Sequence, residues 1–204
     1  MAEVPTKARA VIIGGGVIGC SLAYHLAKLG WSDVVLLERK QLTSGTTWHA
    51  AGLIAQLRAT ANMTKLAKYS QELYGNLEAE TGVATGFKRC GSITVALTEE
   101  RREEIYRQAA MARAFGVDVE EITPAEVKAK YEHLNIDGVT GGVWLPLDGQ
   151  GDPANIALAL AKGARQMGAQ VFEQTKAMGV TRAGRRITAV QWQNEQGESG
   201  SIAC

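Results

Sequence analysis

The chain has 204 residues, of which 46% are hydrophobic and 21% charged, as in an ordinary globular protein with enough apolar material for a core. Its formal net charge of +1 gives no electrostatic footprint for nucleic acid or for an anionic membrane surface. No apolar run approaches the roughly 18 residues that a membrane-spanning helix needs. The composition therefore predicts a protein with no nucleic-acid partner and no membrane span.

The three cysteines, Cys20, Cys90 and Cys204, are odd in number and form no Cys-x-x-Cys pair. This pattern argues against a disulfide framework and a zinc site, and it favours a reducing compartment. Residues 1–9 are polar and lack the apolar centre of a secretory signal. We therefore expect no bound metal and a cytoplasmic location of bacterial type, or the mitochondrial matrix if the protein is eukaryotic.

A βαβ unit is predicted at the start of the chain. Residues 8–13 form a short apolar run that ends in glycines, which indicates a buried parallel strand. Residues 17–29 carry apolar side chains at helical spacing, and Gly30 supplies the stop. Residues 34–37 predict a second buried strand. A strand, a glycine turn, a helix and a strand within about 30 residues are the βαβ pattern.

The later elements follow from spacing and turn residues. Small and hydroxyl residues from 43 to 52 predict a loop with a short helix over a ligand. Helices are predicted around 66–77, over 98–115, after the capping box at Thr123, and from Asp152-Pro153 to Gly168. Strands are predicted at 92–97, 138–145 (an edge strand or a strand pair), 171–173, 187–193 and 199–204.

The order of these elements predicts an α/β fold, in which a Rossmann-like domain with a parallel sheet is interrupted by part of an α+β domain. We place the dinucleotide-binding domain at 1–84 and 148–204, and the first part of a substrate domain at 85–147. Because the chain stops at a strand with an open sheet edge and no closing helix, we expect the natural polypeptide to be longer and this domain to be incomplete.

Residues 14–19, Gly-Gly-Gly-Val-Ile-Gly, fit the dinucleotide fingerprint G-x-G-x-x-G. Gly14 permits the tight turn, Gly16 lets the backbone approach a pyrophosphate, and Gly19 lets the helix pack close to the strand. The helix presents free N–H groups and its positive dipole end to the phosphates. The alternative is a glycine-rich turn without a ligand, which the preceding strand and the following helix disfavour.

Glu38 ends the second predicted strand and lies 24 residues after Gly14 (38 − 14). A carboxylate at this place accepts hydrogen bonds from ribose hydroxyls and disfavours a 2′-phosphate, so NADP is not expected. The fingerprint leaves both NAD and FAD open.

The segment after Glu38 carries a more specific pattern. Residues 45–53 are Gly-Thr-Thr-Trp-His-Ala-Ala-Gly-Leu, and further matching strings lie at 77–82, 91–93 and 148–153. With these strings the chain resembles, from about Ala10 to Cys204, the FAD-dependent amine oxidoreductases related to D-amino-acid oxidase. Within that family it is most similar to the sarcosine and dimethylglycine dehydrogenase group.

The resemblance implies FAD as the cofactor. In this family the glycine turn and the Glu hold the ADP half, the hydroxyl-rich loop passes along the pyrophosphate and the flavin, and the residue matching His49 carries the flavin covalently. Backbone atoms near Ala177, where the family usually has Val, lie on the adenine side. The alternative for His49 is a histidine that hydrogen-bonds a phosphate or the backbone. The implied cofactor-binding residues are Gly14, Gly16, Val17, Ile18, Gly19, Glu38, Arg39, Ser44, Gly45, Thr46, Thr47, Trp48, His49, Ala50, Ala51, Gly52, Leu53 and Ala177.

The family further implies oxidative N-demethylation of a small N-methylated amino acid, with hydride transfer to flavin N5 and electrons passed to an acceptor protein or to oxygen. Residues 56–58, Gln-Leu-Arg, resemble sarcosine dehydrogenases more than dimethylglycine dehydrogenases, so sarcosine is the first expected substrate and dimethylglycine the alternative. The implied catalytic residues lie beyond Cys204, as does the tetrahydrofolate-binding half of many members. Two alternatives stay open: a non-catalytic regulatory subunit, which the Trp48-His49 pair disfavours, and a generic NAD-binding module.

Overall fold

The computed structural model describes residues 3–204. The strands in this range are β1 (Ala10–Ile13), β2 (Val34–Leu37), β3 (Leu53–Ile54), β4 (Ser92–Ala96), β5 (Glu120–Ile122), β6 (Gly141–Leu145), β7 (Gly149–Gln150), β8 (Gln170–Phe172), β9 (Thr175–Ala183), β10 (Arg186–Asn194) and β11 (Ser199–Ala203). The helices are α1 (Val17–Lys28), α2 (Ala61–Thr81), α3 (Glu99–Ala114), α4 (Pro124–Lys130) and α5 (Pro153–Gln166), with a short 3-10 helix at Thr47–His49. None of the helices described is long and apolar enough to cross a bilayer.

The contacts divide the chain into two compact units. Unit 1 comprises Met1–Ala51, Asn76–Gly86 and Asp152–Cys204, and unit 2 comprises Gly52–Gly75 and Phe87–Gly151. By contacts, therefore, residues 52–75 belong to unit 2, whereas the sequence analysis assigned them to the dinucleotide-binding domain. The functional boundaries of the two domains stay a prediction.

Unit 1 is built on a three-stranded parallel sheet in the order β1-β2-β8. The central strand β2 is Val-Val-Leu-Leu, and all four residues are buried, as expected for a strand covered on both faces. Its register places Val34 beside Ala10 of β1 and Val35 beside Gln170 of β8. This arrangement confirms the predicted βαβ unit and its parallel sheet.

Helices α1 and α5 pack against each other in unit 1. Helix α5 begins after Asp152, whose carboxylate accepts hydrogen bonds from the N–H groups of Ala154 and Asn155 at 2.9 and 3.0 Å. Its Gly163 permits the close approach to α1, because a Cβ there would lie 2.9 Å from the ring of Tyr24. The sequence therefore predicts the start of α5 correctly, and a glycine inside the helix allows it to pack tightly.

A second sheet of unit 1 is antiparallel, in the order β11-β10-β9. Its Val190 and Ile202 pack with Val35 and Leu37 of the parallel sheet in one buried apolar cluster. The outer edge of β11 is partly paired, since the N–H of Ala8 donates to the carbonyl of Ala203 at 2.9 Å. The sheet edge that the sequence analysis expected to be open is therefore covered in part by residues 6–8.

Unit 2 centres on an antiparallel sheet in the order β4-β6-β5. Helix α3 covers it with an apolar core of Ala96, Ile105, Ala109, Ala112, Val117, Val143 and Leu145. Helix α4 begins at the predicted capping box, in which Thr123 and Glu126 each bond the backbone of the other. The short strands β3 and β7 form a separate antiparallel pair.

Two expectations about strands differ from the structure. Residues 138–145 were expected to form an edge strand or a strand pair, but β6 is the central strand, because it pairs with β4 on one side and β5 on the other. Strand β9 is also not predicted from the sequence. Its residues carry Lys176, Arg182 and a glycine in place of alternating apolar side chains, and most of them are exposed.

Candidate cofactor site

The glycine turn joins β1 to α1 and has the backbone geometry that the fingerprint requires. Gly14 has a φ of +108°, which favours glycine, and its N–H donates to the carbonyl of Leu37 at 2.9 Å. A Cβ on Gly19 would lie 1.9 Å from the carbonyl oxygen of Gly14. The predicted roles of these two glycines in the turn and in close packing therefore agree with the structure.

Gly15 has a part in the site that the fingerprint does not predict. Its N–H donates to Oε2 of Glu38 at 2.7 Å, and a Cβ on Gly15 would lie 2.5 Å from Leu42 and 2.8 Å from the Cβ of Glu38. The run of three glycines was the available signal, because the fingerprint itself leaves the middle position unspecified. Gly15 thus lets the turn come into contact with Glu38.

The Glu38 carboxylate, half-buried at the end of β2, is held by two backbone donors. Oε2 accepts from Gly15, and Oε1 accepts from the N–H of Lys40 at 2.8 Å. A carboxylate can accept about four hydrogen bonds, so two further donors such as ribose hydroxyls can still bind. These contacts orient Glu38 toward the glycine turn, where a dinucleotide ribose would lie.

The start of α1 is suited to an anion. The helix has no acidic residue in its first turn, and its N-cap, Gly16, has no side chain with which to cap it. Instead, the buried hydroxyl of Thr47 accepts the N–H of Val17 at 2.9 Å and lies 3.0 Å from the position of a Cβ on Gly16. The remaining N–H groups of the first turn and the positive end of the dipole favour a phosphate at this point.

The histidine loop, which we define as residues 43–52, begins beside the glycine turn. Thr43 has a φ of +69°, and its N–H donates to the carbonyl of Gly15 at 2.9 Å. Within the loop, the rings of Trp48 and His49 have centroids 4.1 Å apart, and both residues are exposed. The structure therefore places the imidazole on the same unit as the glycine turn, with an indole beside it that limits its rotamers.

The other predicted residues of this region are mostly exposed. In unit 1 these are Ile18, Arg39, Ser44, Gly45, Thr46, Ala50 and Ala51. In unit 2, Gly52 accepts a backbone hydrogen bond from Gly151 at 3.0 Å, and Leu53 is 79% exposed. Such exposure leaves backbone and side chains accessible to a ligand.

A second segment that the sequence analysis missed holds the end of β2. Oε1 of Glu173 accepts the N–H of Leu42 at 2.6 Å, and the N–H of Thr175 donates to the carbonyl of Glu38 at 2.8 Å. Ala177 follows in β9, where it pairs with Trp192 and packs on the apolar cluster of unit 1. Residues 173–175 are therefore structural supports for Glu38, and the adenine-side role of Ala177 stays a prediction.

The arrangement fits a bound dinucleotide. It combines a turn without Cβ atoms, a carboxylate with spare acceptor capacity, a helix start without acidic residues and an exposed histidine on the adjoining loop. Among residues 3–204 there is no group of three His, Cys, Asp or Glu side chains that could hold a metal ion. His25 bonds the Ser21 carbonyl within α1 and His133 lies beside Glu132, whereas His49 lies on the loop that adjoins the glycine turn.

The fold and the candidate site are those of proteins that bind a dinucleotide, either FAD or NAD. Comparison with known proteins distinguishes between these two cofactors. Residues 9–204 match the family described as FAD dependent oxidoreductase. The chain belongs to this family.

Three similar proteins illustrate the range of its relatives. Mitochondrial sarcosine dehydrogenase of Homo sapiens is 42% identical over 178 residues, which cover 87% of this chain and 19% of the relative. 4-Methylaminobutanoate oxidase (formaldehyde-forming) of Paenarthrobacter nicotinovorans is 42% identical over 187 residues, which cover 92% of this chain and 23% of that protein. The mitochondrial pyruvate dehydrogenase phosphatase regulatory subunit of Mus musculus is 38% identical over 201 residues, which cover 98% of this chain and 22% of that protein. The chain thus spans about a fifth of the length of these relatives.

Solved structures agree on the fold. L-Proline dehydrogenase of P. horikoshii superposes with a TM-score of 0.88 at 30% identity, covering 98% of this chain and 52% of that one. The sequence-based expectation of a member of the D-amino-acid oxidase family with a Rossmann-like parallel sheet is confirmed.

Proposed function

We propose that this chain forms the FAD-binding part of an enzyme that oxidatively demethylates a small N-methyl amino acid, with sarcosine as the first candidate substrate. One observation carries the proposal: the Trp48-His49 pair lies on a loop that is hydrogen-bonded to a glycine turn, itself bonded to Glu38. We assign the FAD-binding domain to 1–84 and 148–204 and the first part of the substrate domain to 85–147, and we take the residues of the glycine turn, Glu38 and the histidine loop as the FAD contacts.

When bound, FAD supplies an acceptor for a hydride. With FAD bound, the methyl carbon of the substrate would be oxidised by two electrons, and water would hydrolyse the product to formaldehyde and the demethylated amine, or a folate would take up the one-carbon unit. An acceptor protein or oxygen would then receive the two electrons. In this chain, the glycine turn and Glu38 bind and orient the cofactor.

We further propose that His49 is the point of covalent attachment of the flavin. The exposed imidazole lies among small residues, Ala50, Ala51 and Gly52, so that a ring system can approach the backbone. Trp48, at 4.1 Å between ring centroids, limits the orientations of the imidazole. Attachment would prevent loss of the cofactor, and an electron-withdrawing imidazole would raise the flavin potential, which favours hydride acceptance.

The substrate is tested by adding sarcosine, dimethylglycine and 4-methylaminobutanoate separately to the flavin-loaded protein without oxygen. Sarcosine is expected to bleach the flavin absorbance fastest and to yield formaldehyde in equal amount. Faster bleaching by dimethylglycine would shift the assignment to that substrate. If none of the three N-methyl amino acids reduced the flavin, the proposed activity would be wrong.

Covalent attachment is tested by acid precipitation and by mass spectrometry of a tryptic digest. The wild-type pellet should stay yellow, and His49→Ala should release its flavin into the supernatant while still binding FAD through the glycine turn and Glu38. His133→Ala is the control, since it removes an exposed histidine outside the proposed FAD contacts and keeps His49. Unmodified His49 in fully active protein would exclude the covalent bond.

A non-catalytic regulatory subunit is the second candidate, because the chain is 38% identical to the mouse regulatory subunit over 98% of its length. The same anaerobic experiment separates the two functions. A regulatory subunit would bind FAD, if at all, without reduction by any amine, and the flavin spectrum would not change.

A further inference from the structure

We infer that Asp148 is a positioning residue that fixes the chain where it leaves the histidine loop. We call residues 53–58 the exit segment, since they follow directly on the loop that carries Trp48 and His49. The inference rests on the proposed function, because its test by turnover presupposes the proposed oxidation. All the contacts that carry it lie within unit 2.

Asp148 is a buried carboxylate whose described partners are neutral donors. The residue is 3% exposed, its Oδ1 accepts the backbone N–H of Gln56 at 2.9 Å, and its Oδ2 accepts the hydroxyl of Ser92 at 2.7 Å. None of the ion pairs found among residues 3–204 includes Asp148. Burying a carboxylate without a cation is costly unless hydrogen bonds satisfy it, so Asp148 depends on these two donors and holds the groups that carry them in place.

The hydrogen bonds form a closed ring through three separate stretches of the chain. Asp148 holds the backbone of Gln56, the Gln56 side-chain amide donates to Gln71 of α2, and the Gln71 amide donates to the carbonyl of Leu147. Leu147 precedes Asp148, which completes the ring. Gln56 and Gln71 are 3% and 1% exposed, and no buried side-chain N or O atom in the described residues lacks a partner. A fully satisfied buried network of this kind specifies one geometry.

The ring acts on a segment that has little regular structure of its own. Only Leu53 and Ile54 pair with another strand, β7. At the far end, the fully buried Thr64 accepts the N–H of Arg58 at 3.0 Å and donates to its carbonyl at 3.2 Å. Between these two anchors, Asp148 bonds a backbone N–H and therefore fixes main-chain position, which a side-chain contact would not do. An apolar residue could fill the same space but could not hold this N–H.

The first test measures the exit segment directly by hydrogen exchange. In Asp148→Ala, peptides covering residues 53–58 should exchange about tenfold faster than in the wild type, since the Gln56 N–H loses its acceptor. Asp148→Asn keeps one acceptor oxygen and should restore most of the protection. Asp118→Ala removes an exposed carboxylate from the same unit and should leave these peptides unchanged. Equal exchange in Asp148→Ala and wild type would overturn the inference.

The second test asks whether the anchoring matters for turnover. Per flavin-loaded molecule, Asp148→Ala should lower kcat about tenfold with little change in KM, and Asp148→Asn should recover most of it. If Asp148→Ala does not fold, Gln71→Met breaks the ring at its far point with a side chain of similar shape. Gln71→Met should also lower kcat. Wild-type kcat per bound flavin in a folded variant would show a purely structural role.

The two proposals fail in distinguishable ways. If the wild-type protein oxidises no N-methyl amino acid, the proposed function is wrong, and the role of Asp148 in turnover falls with it, while hydrogen exchange still decides whether Asp148 fixes the exit segment. If the wild type is active and the Asp148 variants match it in kcat and in exchange, only the inference about Asp148 is wrong.

Discussion

The hydroxyl of Thr47 accepts the backbone N–H of Val17 at 2.9 Å, across 30 positions of sequence. Helix α1 starts at a glycine with no side chain to cap it, so the cap comes from the histidine loop instead. The same bond therefore stabilises the helix start and holds the loop beside the point where a phosphate would bind. Removing this bond should therefore destabilise the start of α1, loosen the histidine loop and weaken FAD binding at the same time.

Thr47→Val keeps the shape of the side chain and removes the acceptor. We expect a loss of about 1 kcal/mol in the free energy of unfolding, the usual value of an N-cap, together with weaker FAD retention. Urea unfolding and flavin occupancy at limiting FAD give the two measurements. Thr6→Val is the matched control, because Thr6 is an exposed threonine of the same unit that lies outside the proposed FAD contacts. The assignment of Thr47 as the cap fails if the two variants are equally stable.

Glu38→Gln should weaken FAD binding by about 10- to 100-fold, because a hydrogen bond to a charged group is worth about 1.5–3 kcal/mol. The amide can also accept from only one of its two present donors, Gly15 and Lys40, with its single oxygen. Equilibrium dialysis of FAD against the His49→Ala protein measures the affinity without covalent attachment. Glu195→Gln, an exposed change in the same unit, serves as control. Equal affinity in the Glu38 and Glu195 variants would exclude Glu38 from the site.

Gly19→Ala and Gly45→Ala compare a glycine that is needed for close packing with a glycine that lies in open space. The added methyl on Gly19 would lie 1.9 Å from the carbonyl oxygen of Gly14, whereas Gly45 has nothing within 4 Å. We expect Gly19→Ala to cost about 1–3 kcal/mol or more by overpacking, and Gly45→Ala to be nearly neutral. Thermal melting of both variants checks this. A Gly19→Ala protein as stable as Gly45→Ala would contradict the close approach of α1 to the turn.

The elements set by local signals could be predicted from the sequence, and those set by distant partners could not. The apolar strand at 34–37, the Asp152 cap and the Thr123 capping box carry their causes in neighbouring residues. The Thr47 cap and the Glu173 bond to Leu42 join residues 30 and 131 positions apart, so no local pattern reports them. β9 was missed for a related reason: it is held by pairing with β10, and its own residues are largely polar.

The capping box of α4 gives a prediction about pH. The backbone N–H of Thr123, and next its hydroxyl, donate to the carboxylate of Glu126 and hold its pKa below the ordinary value of 4.5. Because the pKa of Glu126 is lower in the folded state, its carboxylate stabilises the fold at pH values above the ordinary pKa of 4.5. This stabilisation is lost as the pH falls through the lower, folded-state pKa. Thr123→Val should therefore move the pKa of Glu126 back toward 4.5, as followed by carbon-13 NMR titration of its carboxyl. An unchanged titration would show that the hydroxyl contributes nothing.

Cys20 gives a probe of the cofactor site that needs no turnover. Its side chain is fully buried beneath the glycine turn, its Sγ lies 3.6 Å from the carbonyl oxygen of Gly15, and burial raises its pKa from 9.0 to about 12. Since the thiolate is the reactive form, a rise of this size lowers its population at neutral pH roughly a thousandfold. Cys90, by contrast, is exposed. We therefore expect a disulfide reagent to modify Cys90 quickly and Cys20 only when the turn opens.

The measurement uses Cys90→Ser/Cys204→Ser in the His49→Ala protein, which keeps Cys20 as the single thiol and leaves FAD free to exchange. Its modification should be slow in the folded protein and fast in urea. If FAD binds at the glycine turn, FAD at ten times its dissociation constant should slow the reaction by a further factor of about ten, because the ligand favours the closed state by mass action. Glu38→Gln, added to the same background, should abolish most of this protection at equal FAD. Modification of Cys20 at the same rate with and without FAD would place the cofactor elsewhere, whatever the activity of the protein.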